Sequence, residues 1–173
     1  PRTEYTLRTK WGRYLVIIWG TTPMGGSAGV GIVLSRACFP PADIKLRHDP
    51  KNAFNQGRLG AVTVRRRRAS GPFHIQIQVG YARQNTDPEN LRLANWNEAL
   101  QMTQGPQRRL LLSAMDANGR VGCINGHLEP TGQIGTHGAE PENTQGGHVR
   151  DYCRRAGVVA ANTFPGRDGG PTQ

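Results

Sequence analysis

Hydrophobic and polar positions alternate most regularly from His74 to Val79, where Ile75, Ile77 and Val79 share one side and Gln76 and Gln78 the other. A period of two predicts a strand, placed at about residues 73–81. Apolar or β-branched runs of strand length recur at residues 12–19, 29–35, 58–65, 109–115 and 158–162. The three consecutive leucines Leu110, Leu111 and Leu112 predict a central strand covered on both faces. Residues 40–57, polar and containing Pro, read as a loop, and 119–145 as a long Gly-rich loop.

Two segments switch to a helical period. Over 88–103, Asp87 offers an N-cap, Pro88 suits the first helical position and Glu89 the positive helix start. Leu93, Trp96 and Leu100 make one apolar stripe, and Gly105-Pro106 ends the helix. Over 147–156, Val149, Tyr152, Cys153 and Ala156 form an inner face, with Gly157 at the C-terminal cap. Strands and helices mix without strict alternation, so the pattern predicts one sheet-based α/β domain over residues 1–173, without internal repeats.

Charge narrows the choice of partners. The net charge is +10, with three lysines against nineteen arginines. Such potential attracts polyanions, and the guanidinium fork suits phosphate, so nucleic acid is the expected partner. Arg65 to Arg68 form the densest run; strand alternation turns two of them to solvent. The longest apolar run, Tyr14 to Trp19, falls far short of the ~20 residues of a membrane-spanning helix. Five charges and no apolar stretch precede it, so no secretory leader is read and an intracellular site, nuclear or cytoplasmic, is expected. Cys38, Cys123 and Cys153 have no paired spacing and read as free thiols. The start at Pro1 and the stop at Gln173 suggest a fragment.

Several motifs have plain structural readings. Gly25 to Gly31 lacks the Lys-Ser/Thr of a phosphate loop and leads into a strand, so it reads as a turn. His127, His137, His148 and Cys123 fit no zinc spacing and read as loop histidines without a metal. Asp151 and Tyr152 read as structural.

The most informative segment runs from Leu110 to Gly122, an apolar strand ending in Asp116, with Asn118 two residues on. In a strand, residues i and i+2 share a side, so both would converge at its C-terminal end. An Asp there can orient a water or hold a divalent cation, and an Asn can donate to a phosphoryl oxygen. An Asp/Asn pair opening a turn is the equal alternative.

Met115-Asp116-Ala117-Asn118-Gly119-Arg120-Val121-Gly122 resembles the Gly-Asp-x-Asn-Ala-x-x-Gly motif of the endonuclease/exonuclease/phosphatase superfamily. In the same order, Ala28 to Ser35 resembles that family's Gly-Val-Gly-Ile strand, and Gly57-Arg58-Leu59 its next strand opening. Val79-Gly80-Tyr81-Ala82 resembles its hydrophobic-x-Tyr-Ala-Pro segment. Ile134-Gly135 through Gly146, the following helix, Asn162-Thr163-Phe164 and Gly170-Pro171-Thr172 are similar to the retrotransposon-type endonuclease subgroup. Met115 stands for the family's Gly, Gly119 for its Ala and Arg83 for its Pro. No segment matches the family's metal-holding Asn and Glu, nor its C-terminal Asp-His pair.

The resemblance implies a layered α/β sandwich, incomplete here, and phosphodiester hydrolysis with one or two Mg²⁺ or Mn²⁺ ions. It makes Asp116, Asn118 and Tyr81 the catalytic residues and Asp116 and Asn118 the metal ligands. Asp116 would activate water, Asn118 stabilise the charge on phosphorus and Tyr81 hold the phosphate. DNA, cut within a mobile element, is the implied substrate, and this chain alone is expected to be inactive. The alternative is a non-catalytic nucleic-acid-binding remnant of the same fold.

Overall fold

A computed structural model of the chain describes residues 2–20, 29–105, 109–124, 127–128, 132–136 and 140–164. It is a mixed, sheet-rich α/β structure with two α-helices and three sheets among the described residues. Two compact units divide the chain: residues 1–81 with 101–116, and residues 82–100 with 117–173.

In the first unit, β1 (Arg2–Thr9), β2 (Gly12–Gly20) and β3 (Gly29–Ser35) form an antiparallel meander. A second sheet has the order β4 (Ile44–His48), β5 (Leu59–Arg68), β6 (Gly71–Tyr81), β7 (Arg109–Asp116). Its first two pairings are antiparallel, and β6 runs parallel to β7. The two sheets bury Ile17, Trp19, Ile32 and Leu34 of the first against Ile44, Val62 and Val64 of the second, with Ile75, Ile77 and Val79 at the margin. Apolar area removed from water is the main stabilising term here. Gly60 lies under the Trp19 indole, where a Cβ would overlap the ring, and the indole N–H donates to Asp49 Oδ1 at 2.8 Å.

The expected pairing of the third strand with the alternating one is present as β5–β6. The glutamine side of β6 is as deeply buried as the core: Gln76 and Gln78 are both 0% exposed. Gln76 Nε2 donates to the Met102 carbonyl, which satisfies one end of that amide. Arg65 and Arg67 do face solvent, whereas Arg66 is half-buried, stacked over the Phe39 ring and donating to the Cys38 carbonyl and to Asp43.

The structure departs from the sequence pattern in several places. Strand β1 was not foreseen: all eight of its residues are exposed, and only Tyr5 and Leu7 break its charged and threonine-rich sequence. It is held by its ladder to β2 and by ion pairs joining Arg2 to Glu4 and Asp49, and Arg47 to Glu4. The expected loop at 40–57 contains β4, with a 3₁₀ turn on either side (Pro41–Asp43 and Ala53–Asn55). The leucine run is not central: β7 is the last strand of its sheet, and Leu110 and Leu112 are about half exposed, at 50% and 49%. The strand expected at 158–162 is absent, for Val159 is exposed, the Ala160 N–H donates to the Gln133 carbonyl, and a 3₁₀ turn occupies Ala161–Thr163.

The second unit contains most of α1 (Glu89–Met102), the whole of α2 (Thr144–Ala156) and a small sheet. That sheet, β8 (Gly122–Ile124), β9 (His127–Leu128) and β10 (Glu140–Pro141), lies inside the expected Gly-rich loop. The buried positions of α1 are Asn95, Trp96, Glu98, Ala99 and Met102, while Leu93 of the expected stripe is exposed. Asp87 does not cap α1. Its carboxylate accepts from the Gln84 N–H, and the first helical hydrogen bonds end on the Pro88 carbonyl. In α2, Asn143 is the N-cap, accepting from the Gly146 N–H at 2.8 Å, and Gly157 closes the helix at φ 68° as expected. Tyr152 and Cys153 are buried, and the Tyr152 ring packs 5.6 Å from that of Trp96. Cys38 and Cys153 carry free thiols. No described helix is long and apolar enough to cross a membrane. Residues 25–28, His137 and the Gly170-Pro171-Thr172 segment lie outside the described residues.

Candidate functional site

Strands β6 and β7 run side by side in the same direction, and their registers bring Tyr81 opposite Asp116 at the C-terminal ends of both. Asp116 is exposed and Tyr81 half-buried. One residue back, Gly80 faces Met115 so closely that a Cβ on Gly80 would come within 2.7 Å of the Met115 methyl. Met115 is thus packed against the strand that carries Tyr81.

Pattern reasoning missed Arg58. Its guanidinium sits over the Tyr81 ring, 5.2 Å from the centroid, and its carbonyl accepts from the Tyr81 N–H at 2.8 Å. Its Nη1 is buried without a hydrogen-bond partner among the described residues. Arg58 is thus a half-buried cation beside Tyr81 with one buried donor left unused. The signal was present in Gly57-Arg58-Leu59, but only the β5–β6 pairing, Leu59 opposite Gly80, reveals its neighbour.

Asn118 belongs to the second unit. Strand β7 stops at Asp116, so the alternation expected to carry both residues to one side does not extend to it. It adopts φ 48°, a left-handed conformation that Asn tolerates better than most residues, and its Nδ2 donates to the Ala82 carbonyl at 2.7 Å. In the same unit Gly119 touches the first turn of α2: a Cβ there would lie 2.9 Å from the backbone of Gln145 and Gly146. Gln145 is fully buried, accepting from the Trp96 indole N–H at 3.2 Å and donating to the Arg83 carbonyl.

No group of three His, Cys, Asp or Glu side chains able to hold a metal comes together among the described residues. Mg²⁺ is commonly held by one or two carboxylates together with substrate phosphate, so Asp116 fits one ligand position of such an ion and no more.

His148 lies on α2, not in a loop, beside a cleft also lined by Leu93, Trp96, Asp151 and Tyr152. Burial, with Arg92 adding to it, holds its imidazole below the usual histidine pKa despite Glu89 and Asp151 nearby. Burial likewise lowers His48, whose Nε2 is 3.0 Å from Thr63 Oγ1. Asp151 is held below the ordinary carboxylate range by its hydrogen bond from Arg154 and also pairs with Arg155. Both histidines therefore favour the neutral form in the folded state. Above about pH 6.5 they are neutral folded or unfolded and cost nothing; as pH falls below 6.5 the unfolded chain takes up protons first, and stability declines until the lowered folded pKa values are passed. Melting temperatures measured between pH 7.5 and 5 are expected to fall, and the fall to shrink in His48→Gln and His148→Gln. The Asp151 contribution is lost only in stronger acid, below its ordinary value of 3.8.

Comparison with protein-family models, with curated proteins and with solved structures returns no match to this chain.

Proposed function

We propose that the chain is a metal-dependent phosphodiester hydrolase domain of endonuclease type, a layered α/β sandwich of the endonuclease/exonuclease/phosphatase kind acting on DNA, with an incomplete catalytic set. The observation that carries this reading is the register of Tyr81 with Asp116 at the ends of two parallel strands, with Arg58 on the tyrosine ring. Open α/β sheets place ligands beyond the carboxyl ends of their strands. In this reading Arg58 and Tyr81 hold the phosphate and Asp116 accepts a proton from the attacking water. Asn118, two residues on in the chain, donates to phosphoryl oxygen. A bound Mg²⁺ or Mn²⁺, held by Asp116, with Asn118 as the second ligand the resemblance assigns, would supply Lewis acidity to the phosphoryl group.

A second reading, a non-catalytic nucleic-acid-binding remnant, is favoured by Asn118, whose amide already serves the Ala82 carbonyl. One experiment tests what the two readings share. Residues 1–173 are expected to bind plasmid DNA with an affinity that drops steeply as salt rises, and to nick it little or not at all with Mg²⁺. Strong nicking would mean that the metal site lies elsewhere. Absence of binding at low salt would remove both readings.

A further inference from the structure

The hairpin joining β1 to β2 is built unlike a strand end that serves folding alone. Thr9 pairs with Gly12, leaving Lys10 and Trp11 as a two-residue loop held by the Trp11 N–H donating to Thr9 Oγ1 at 3.0 Å. Gly12 takes φ 142°, which closes the turn. Trp11 is 78% exposed, so its indole buries almost nothing, and the Lys10 ammonium lies 4.6 Å from its ring centroid. Directly behind the loop Arg8 is the cross-strand partner of Arg13, and the Arg36 N–H donates to the Arg13 carbonyl at 2.9 Å. Three arginines therefore make one row across the end of the sheet, about 10 Å long at the usual strand spacing. Like charges directly opposite one another destabilise an antiparallel pair. No carboxylate pairs with Arg8, Lys10, Arg13 or Arg36 among the described residues; the nearby Glu4 is bound to Arg2 and Arg47.

The exposed indole gains nothing from folding, the unneutralised arginine row works against it, and both match one ligand. We propose that this hairpin is a contact for single-stranded nucleic acid, in which Trp11 stacks on an unpaired base while Arg8, Arg13 and Arg36 hold the phosphates beside it. Stacking on an aromatic ring is tolerant of sequence, and guanidinium groups meet phosphate oxygens with two donors at once. The inference rests on nucleic acid being the partner, as proposed above, and adds where and in what form it is held.

The test uses the full 173-residue chain with a labelled oligothymidylate strand, a blunt duplex, and phosphatidylserine vesicles as a competing surface. Trp19 and Trp96 are buried, so a change in the exposed tryptophan emission reports Trp11. The single strand is expected to quench that emission. Trp11→Ala should weaken single-strand binding on the order of tenfold, with duplex binding less affected and thermal stability unchanged, and Trp11→Phe should recover most of the loss. Arg8→Ser with Arg13→Ser should reduce the salt slope of single-strand binding by about 1.4, for two phosphate contacts removed. Single-strand binding by the parent chain that neither variant alters would overturn the hairpin while leaving the proposed function standing. Failure of the parent chain to bind either nucleic acid would remove both. Blue-shifted Trp11 emission on vesicles, without quenching by the oligonucleotide, would make the hairpin a membrane contact and overturn the proposal.

Discussion

Asp116→Asn is expected to cut Mg²⁺-dependent nicking at least about a hundred- to a thousandfold in a protein that joins residues 1–173 to segments supplying the Asn/Glu and Asp-His groups absent here. The substitution keeps the size of the side chain and removes its charge. Asp116 is exposed at the end of β7, and an unchanged melting temperature of the variant shows that a drop in rate reports chemistry and not unfolding. Groups that act together are strongly non-additive, so the same change in residues 1–173 alone should be nearly silent. DNA binding should survive it, or strengthen slightly as a negative charge leaves. If the joined protein nicks equally well with Asn at 116, the residue is not catalytic. If it binds DNA and never nicks, the binding reading is correct.

Gly60→Ala is expected to produce the largest loss of stability. The added methyl would enter the volume of the Trp19 indole, which is 2% exposed and tied to Asp49, so the ring cannot swing aside without breaking its hydrogen bond. Overpacking of this kind costs about 1–3 kcal/mol and occasionally more, a loss of several degrees in Tm for a chain of this size. Trp19→Leu alone should also destabilise, by leaving space where the ring was. Combined with Gly60→Ala it should cost clearly less than the sum of the two, because the methyl then fills part of that space. Additive losses in thermal or urea denaturation would show that Gly60 and Trp19 do not pack as described.

The pattern of the chain revealed those elements whose side chains report burial. Alternation at Ile75, Ile77 and Val79 located β6, and Gly157 located the end of α2. It did not reveal β1, where Arg2 and Glu4 form ion pairs with Asp49 and Arg47 and a strand looks like a charged linker. It overstated β7, because three leucines describe one strand's composition and not its place in the sheet. The apolar spacing of α1 pointed to Leu93, whereas Asn95 is buried and Leu93 is not.

For the site, Tyr81 and Asp116 were legible as the ends of two clear strands. Their being opposite one another depends on the parallel register of β6 with β7, which no local pattern encodes. Arg58 was hidden for the same reason. Asn118 was misjudged in its backbone: the alternation of a strand was extended past Asp116 into a residue that turns left-handed.

The central claim is that the β6–β7 strand end handles a phosphate and a divalent ion. It is tested most directly by nuclear magnetic resonance of the 173-residue chain, adding trace Mn²⁺ with a short DNA strand and following the paramagnetic loss of each backbone amide signal. Loss is expected to begin at Gly80, Tyr81, Asp116 and Ala117, and to vanish in Asp116→Asn. Loss centred on Asp151, or spread evenly over the exposed carboxylates and indifferent to Asp116→Asn, would contradict it.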